Sequence, residues 1–252
     1  MEKDIDIYNK KEKCIVKGKI FYTKENIIDD QVFIFCHGFC SGKSSNSVKV
    51  IAKKLLEYDI PSISFDFPGH MDSEQGTDRL TVEVCVSYIN SAIDYIKCVY
   101  GEKIKISFFA ISFGAYILLN KLIGDKNEYQ NIFLRSPAFN MKEVFAKSLL
   151  KEPFEQYKQN GKAKCGHGGK IEAPYSFYED LVNKDLYNKY HEKRKIIVFQ
   201  GTLDDTAPIE DTYKFIESRP EIELIEMKGM NHHMEIGELE IVAQKMIEKI
   251  RN

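Results

Sequence analysis

The chain has 252 residues, of which 43% are hydrophobic and 29% charged, a composition typical of a globular protein. Its 36 Lys and Arg residues nearly balance its 38 Asp and Glu residues, and the formal net charge is -2. This balance gives no support to a nucleic-acid partner or to binding at an anionic membrane surface. The length fits one α/β domain with a modest insertion better than two full domains.

The beginning of the chain does not resemble an export signal, because Met1 is followed by Glu2, Lys3 and Asp4 and no long apolar segment appears. The longest apolar runs, such as 32–36, are far shorter than a membrane span. The six cysteines show no framework spacing, which favours reduced thiols. We therefore expect a cytoplasmic protein with no membrane span.

One short segment, Cys165-Gly166-His167, contains two residue types that ligate metals. No second pair of Cys or His residues at zinc spacing accompanies it. We therefore expect no metal site there.

Short β-type runs alternate with helical patterns, which predicts βαβ units around a mostly parallel sheet. Run 32–36 is continuously apolar, as in a strand covered on both faces. Thr81 is a suitable N-cap for the predicted helix 81–97. The predicted strands are 5–8 paired with 14–22, then 32–36, 60–67, 103–110, 131–134, 196–200 and 222–227. The predicted helices are 44–58, 81–97, 113–123, 209–218 and 237–251.

Residues 139–190 interrupt the alternation and have little strand pattern. An interruption of this length between two core strands is too long for a plain loop. We expect a core of residues 1–138 and 191–252 and a cap over an active site formed by 139–190, the alternative being a peripheral helical insertion. Its aromatic residues either line a pocket or anchor the insertion, and we favour anchoring for most of them: Phe154, Tyr157, Tyr175, Phe177, Tyr178, Tyr187 and Tyr190.

The segment Ala110-Ile111-Ser112-Phe113-Gly114 directly follows an apolar strand and opens a predicted helix. Small residues two positions on either side of a serine allow a strand to turn abruptly into a helix, which exposes the hydroxyl. The pattern is weak alone, but its position between a strand and a helix is what the motif requires. Ser112 is therefore the candidate nucleophile.

A serine hydroxyl needs a base to accept its proton and a third group to orient that base. Asp204 and Asp205 follow the predicted strand 196–200, and His232 and His233 follow the last strand. Both loops lie at the carboxyl edge of the sheet, where active sites of open α/β sheets form. We favour Asp204 because it is the last residue of a Gly-x-x-Asp segment, and we expect Asp205 to cap the following turn. We favour His232 because its spacing from Gly229 matches the short turn that usually presents such a base.

Acyl transfer also needs backbone N–H donors for the oxyanion. The residue after the nucleophile, Phe113, supplies one donor. The loop His37-Gly38-Phe39 follows an early strand, which makes the Phe39 N–H the second candidate. We interpret the His37 side chain as a buried hydrogen-bonding group that shapes this loop.

Four motifs in chain order resemble those of the α/β-hydrolase superfamily and span almost the whole chain: His37-Gly38-Phe39, segment 65–70, segment 110–114, and the loops of Asp204 and His232. Within the superfamily the chain looks most like the compact cinnamoyl and feruloyl esterases. The loop at 37–39 with Gly42-Lys43, the segment 65–70 and Ser136-Pro137-Ala138 carry this likeness. Two residues depart from the pattern, since Met71 and Ala110 stand where glycine is usual.

The resemblance implies an α/β-hydrolase fold, with a mostly parallel central sheet flanked by helices and a small cap insertion. It also implies hydrolysis of carboxylic esters through an acyl-enzyme, with Ser112, Asp204 and His232 as the triad. The amides of Phe39 and Phe113 would form the oxyanion hole, and no cofactor or metal is implied.

The substrate class is less sharply predicted than the triad, because one fold and one triad serve many reactions. A small or aromatic acyl ester is the leading hypothesis, while a thioesterase, acyltransferase, monoacylglycerol lipase or peptidase stays open. A non-catalytic binding module is disfavoured because every triad member is present in order. We expect a small-molecule ester and no nucleic acid as partner, and the oligomeric state stays open, a homodimer included.

Overall fold

The predicted alternation builds a mixed sheet in which most strands are parallel. In the computed structural model, which describes residues 1–23 and 31–251 apart from the side chain of His167, eight strands form this sheet. They are β1 (Glu2–Asn9), β2 (Cys14–Phe21), β3 (Gln31–Cys36), β4 (Ser62–Phe65), β5 (Lys105–Ile111), β6 (Ile132–Arg135), β9 (Ile196–Gly201) and β10 (Ile222–Met227). Their spatial order is β1-β2-β4-β3-β5-β6-β9-β10, and only β2 runs against its neighbours.

The register between β3 and β5 sets the position of the two segments that follow these strands. Gln31 pairs with Lys105 and Cys36 with Ala110, so both strands end at the same level of the sheet. The chain leaves β3 into segment 37–39 and leaves β5 into Ser112, which makes these two segments neighbours. Both strands are buried on both faces, as parallel strands between helices must be.

Helices cover the two faces and create two apolar clusters. One face is covered by α1 (Asn46–Leu56) and α9 (Ile236–Arg251), the other by α2 (Val82–Tyr100), α3 (Phe113–Leu122) and α8 (Ile209–Ile216). The predicted N-cap of α2 is confirmed, because the Thr81 side chain accepts a hydrogen bond from the Val84 amide. None of the helices in the described part of the chain has the length and apolarity required to cross a membrane.

The segment 139–190 between β6 and β9 contains short helices and a separate two-stranded hairpin. Its elements are α4 (Met141–Val144), a π-helical turn (Phe145–Leu149), α5 (Phe154–Asn160), β7 (Lys162–Cys165), β8 (Ile171–Pro174), α6 (Tyr175–Asn183) and α7 (Leu186–Lys189). The prediction of little strand structure was therefore wrong for β7 and β8, which pair antiparallel. In β7 the alternation of exposed and buried residues lasts only four positions, too short to stand out in the sequence.

Gly114 is required by the close approach of α3 to the end of β3. A Cβ at this position would lie 2.2 Å from the Cys36 carbonyl oxygen. We expect Gly114→Ala to lower the free energy of unfolding by about 3 kcal/mol, because backbone atoms would have to move apart. Urea denaturation measures this change.

A matched control is Gly237→Ala in the exposed first turn of α9, where a Cβ would meet nothing within 4 Å. We expect this change to raise the free energy of unfolding by about 0.5–1 kcal/mol, since alanine reduces the entropy of the unfolded chain. Equal stability of the two variants would contradict the steric argument.

Candidate active site

Ser112 lies at the junction of β5 and α3 in a strained backbone conformation. Its φ of 50° and ψ of -113° fall in a region that non-glycine residues rarely occupy. Gly38 lies directly beside it, because a Cβ built there would be 3.6 Å from the Ser112 Cβ. The predicted strand-to-helix turn is present, and it holds the serine next to the loop that follows β3.

A continuous hydrogen-bond chain joins the three predicted side chains. His232 Nε2 lies 3.0 Å from Ser112 Oγ, and His232 Nδ1 lies 2.8 Å from Asp204 Oδ2. All three residues are buried, with at most 7% of each exposed. The structure therefore brings Ser112, His232 and Asp204 together, and of the two alternatives His233 and Asp205 neither takes part in this chain.

Asp204 is held by more than the histidine. Its Oδ1 accepts hydrogen bonds from the Thr206 and Ala207 amides, and its Oδ2 accepts one from Gln200 Nε2. Asp204, rather than Asp205, thus bonds the amides of the following turn. Burial raises the pKa of this carboxyl, but the hydrogen bonds from His232 and from the two amides outweigh burial and lower the pKa below its ordinary value.

The loops carrying Asp204 and His232 touch each other through their backbones. The Leu203 amide donates to the Met230 carbonyl oxygen at 2.9 Å. Gly201 makes this approach possible, since a Cβ there would lie 2.3 Å from the same oxygen. The two loops are thus fixed relative to each other before any ligand binds.

The loop 37–39 is shaped by its histidine, as predicted. His37 Nδ1 lies 2.8 Å from the Gly38 carbonyl oxygen, and Nε2 accepts a hydrogen bond from the Phe67 amide at 3.0 Å. Burial lowers the pKa of His37 to about 4, so the ring is neutral near pH 7 and Nδ1 carries the donated proton.

The backbone amides of Phe39 and Phe113 form no hydrogen bond to any described part of the protein. Their rings pack edge to face at a centroid distance of 5.5 Å. The Phe39 ring also stacks on Phe177 of the segment 139–190, at 6.0 Å with an interplanar angle of 14°. Aromatic packing therefore braces both residues, and their backbone amides are left without a partner among the described residues.

A cavity of about 370 Å³ opens in front of Ser112 and His232. Its lining includes residues of the loop 37–41 and of the start of α1, together with Ser148, Leu149, Lys151 and Gly166 of the segment 139–190. Among the described residues, none of the seven aromatic side chains that the sequence singled out in 139–190 lines this cavity. These side chains pack against one another or against the core instead. The hydroxyls of Tyr157 and Tyr187 are further held by hydrogen bonds that they donate to backbone carbonyl oxygens. This arrangement agrees with an anchoring role.

Solved structures of other proteins align with nearly the whole length of this chain. Est1E from Butyrivibrio proteoclasticus, in a structure with ferulic acid bound, aligns with a TM-score of 0.76 and 16% identity over 98% of this chain and 100% of that one. The esterase domain of a Rhodothermus marinus protein aligns with a TM-score of 0.74 and 15% identity, covering 100% and 98% of the two chains. Mouse alpha/beta hydrolase domain-containing protein 10 aligns with a TM-score of 0.73 and 16% identity, covering 94% of each.

Together with the strand order, these alignments decide the architecture. The chain has the α/β-hydrolase fold. No family model matches its sequence, and no curated protein matches it either. The predicted fold class is confirmed, while the roles of the individual site residues are taken up as proposals below.

In this α/β-hydrolase fold the loop after β4 is tied to the loop after β3 by a buried ion pair. Asp66 Oδ1 accepts from the Lys43 amide, and Asp66 Oδ2 accepts from Lys43 Nζ, both at 2.7 Å. Met71, one of the two positions at which the sequence departs from the motifs that it resembles, has a φ of 38° and is exposed. A positive φ favours glycine, and the exposure of Met71 shows why a methionine side chain causes no clash there.

Sequence reasoning missed two buried polar residues that bond to the His232 loop and to Asp204. Gln200 donates to Asp204 from the end of β9, and Arg135 Nη1 donates to the His232 carbonyl oxygen at 2.8 Å from the end of β6. Each is the polar last or next-to-last residue of an otherwise apolar strand. A polar side chain at the carboxyl end of a parallel strand was the signal that could have identified both.

The lowered pKa of Asp204 predicts a specific acid dependence of stability. Because the folded-state pKa lies below the unfolded value of about 3.9, this carboxylate stabilises the fold above that pH, and the contribution is lost as the pH falls through the folded pKa. We expect the free energy of unfolding of Asp204→Asn to fall less steeply below about pH 4 than that of the unmodified protein. Denaturant titrations at a series of pH values measure the slopes.

The matched control is Asp205→Asn, which changes the exposed neighbouring carboxylate. Its slope should follow that of the unmodified protein. If both variants lose the same slope, the hydrogen bonds around Asp204 are not responsible for it.

Proposed function

We propose that the protein is a serine hydrolase that cleaves carboxylic esters through an acyl-enzyme intermediate. The observation that carries this proposal is the hydrogen-bond chain from Ser112 Oγ through His232 to Asp204. Such a chain is the arrangement by which a weak hydroxyl nucleophile is activated. The α/β-hydrolase fold, which supports many reactions, adds only the expected place for it.

In the proposed acylation step, His232 Nε2 accepts the Ser112 Oγ proton while Oγ bonds to the acyl carbon. The carbonyl oxygen gains the negative charge and lies between the amides of Phe39 and Phe113, the proposed oxyanion donors. Asp204 accepts the Nδ1 hydrogen of His232, which holds the ring in the required tautomer and stabilises the imidazolium.

Breakdown of this intermediate cleaves the ester C–O bond, and His232 returns the proton to the leaving alcohol. In the second half-reaction a water molecule attacks the acyl-enzyme, with His232 again accepting and then returning a proton to Ser112 Oγ. The products are the free acid and the unchanged enzyme, and no metal or cofactor enters this sequence.

The segment 139–190 is proposed as a cap on the core formed by 1–138 and 191–252. Its residues Ser148, Leu149, Lys151 and Gly166 line the cavity beside Ser112, which supports this division. Because part of the lining comes from the cap, we propose that this segment selects the acyl or alcohol group admitted.

A small or aromatic acyl ester is the proposed substrate class. A cavity of about 370 Å³ is within the size range of small-molecule sites. The structural similarity to Est1E, whose structure contains ferulic acid, supports testing esters of aromatic acids first. Thioester, acyl-transfer, monoacylglycerol and peptide substrates use the same triad chemistry and form the alternatives.

Ser112→Ala removes the proposed nucleophile. We expect a fluorophosphonate probe to label the unmodified protein at Ser112 and not the variant, and we expect kcat for 4-nitrophenyl acetate to fall by about 10³-fold or more. Peptide mapping of the adduct and steady-state kinetics are the measurements. Undiminished turnover in the variant would exclude this mechanism even with the fold intact.

The acyl preference is tested with 4-nitrophenyl esters of short acyl, long acyl and feruloyl groups, alongside the corresponding acyl-thioesters. We expect the highest kcat/KM for short acyl or feruloyl esters, because the cavity is small and partly covered by 139–190. Activity confined to the thioesters would replace the esterase proposal with a thioesterase.

A further inference from the structure

Arg135 is a buried cation whose hydrogen-bonding capacity is largely unused. Only 5% of the residue is exposed, and its guanidinium carries five N–H donors. Nη1 donates to the His232 carbonyl oxygen at 2.8 Å, whereas the buried Nε has no partner. Among the described residues this is the single hydrogen bond of the Arg135 side chain.

No carboxylate pairs with Arg135 in the described part of the chain. Asp204 is near enough to raise the pKa of Arg135, but its two oxygens are occupied by His232, Gln200 and backbone amides. Burial has the larger effect and lowers the pKa of Arg135 to about 10, so the guanidinium stays protonated near pH 7. A buried cation without an anionic partner is unfavourable, which points to an anionic group that is supplied from outside.

The cavity in front of Ser112 is where that group would arrive, because Arg135 lines it. The ionisable side chains of its described lining are Arg135, Lys151, His232 and His233, and none is Asp or Glu. Hydroxyl and amide groups complete the polar part of the lining, at Ser41, Asn46, Ser47, Ser148 and Thr206. A wall of this composition favours an anionic ligand over a neutral or cationic one.

We propose that Arg135 binds a carboxylate carried by the ester substrate, so that the preferred substrates are esters of dicarboxylic acids or of carboxyl-bearing alcohols. This inference rests on the proposed ester hydrolysis at Ser112 and adds its substrate class. The planar guanidinium suits a carboxylate, since two of its N–H groups can meet the two oxygens. Lys151 lies exposed at the rim of the same cavity and contributes attraction at a distance.

A purely structural role would not require this residue. Holding the His232 carbonyl oxygen takes one donor, which a neutral amide side chain would supply without placing a charge in the interior. The additional donors and the charge are what a carboxylate-binding role explains.

The test compares two substrates of nearly the same shape, one with a free carboxylate and one with a neutral amide in its place. One is the 4-nitrophenyl monoester of adipic acid, and the other is the same ester with its free carboxylate replaced by a primary amide. We expect kcat/KM of the unmodified protein to be about tenfold or more higher for the acid, the effect of a charge-assisted hydrogen bond. A second pair, the acetates of 3-hydroxybenzoate and 3-hydroxybenzamide, places the carboxylate on the alcohol side instead.

Arg135→Met should reduce the acid-to-amide ratio of kcat/KM to about one or below, whereas Arg135→Lys should keep part of it. The ratio is the readout because Arg135 also supports His232, and loss of that support lowers both rates together. The matched control is Lys103→Met, which removes an exposed positive charge just before β5 and outside the cavity lining, and which should change the ratio by less than about threefold.

If the neutral esters are turned over and neither pair shows a preference for the charged ester, this inference is overturned and the proposed function stands.

If Ser112 is not labelled and no ester is turned over, the proposed function fails. Arg135 is then tested alone by calorimetry, which compares the binding of adipate with that of adipamide. Binding of adipate that Arg135→Met abolishes supports the carboxylate site, and binding by neither protein overturns it. If Arg135→Met does not fold, the comparison of both ligands on the unmodified protein decides.

Discussion

The contact between α3 and the end of β3 is the constraint on which the site depends. With glycine at position 114, the first turn of α3 lies against the Cys36 and His37 carbonyls. This close packing holds Ser112 at a φ of 50°, a conformation that costs on the order of 1–3 kcal/mol and persists only when the surroundings impose it. The buried apolar side chains of α3 supply that restraint, so the fold's own packing positions the hydroxyl.

A second group of contacts orients the imidazole without involving the nucleophile. Asp204 is fixed by two amides and by Gln200, and the backbone of the His232 loop is fixed by Arg135 and by the contact at Gly201. Such preorganisation matters because a group that is already aligned loses little freedom during a reaction. Arg135 at the end of β6, together with the residues at the end of β9 and in the turn after it, thus holds Asp204 and the His232 loop in place.

Much of this arrangement could be predicted from the sequence, and the reason is geometrical. Parallel strands bring their carboxyl ends to one edge, so Ser112, Asp204 and His232 could be placed near one another without knowledge of any distance. Arg135 and Gln200 were missed because the apolar pattern of their strands predicts only burial. The hairpin β7–β8 was missed because each of its strands is only four residues long, and an alternation of four positions is too short to stand out in the sequence.

The stacking of Phe39 on Phe177 has a consequence for how such a protein could diverge. Segments that connect the strands of a core generally tolerate replacement better than the strands themselves. Here the rings of Phe177 and Phe145, both in the segment 139–190, pack against the Phe39 ring. They brace the loop that carries the Phe39 amide. Any replacement of residues 139–190 would therefore have to restore an aromatic neighbour for Phe39, which restricts the sequences that can succeed at this position.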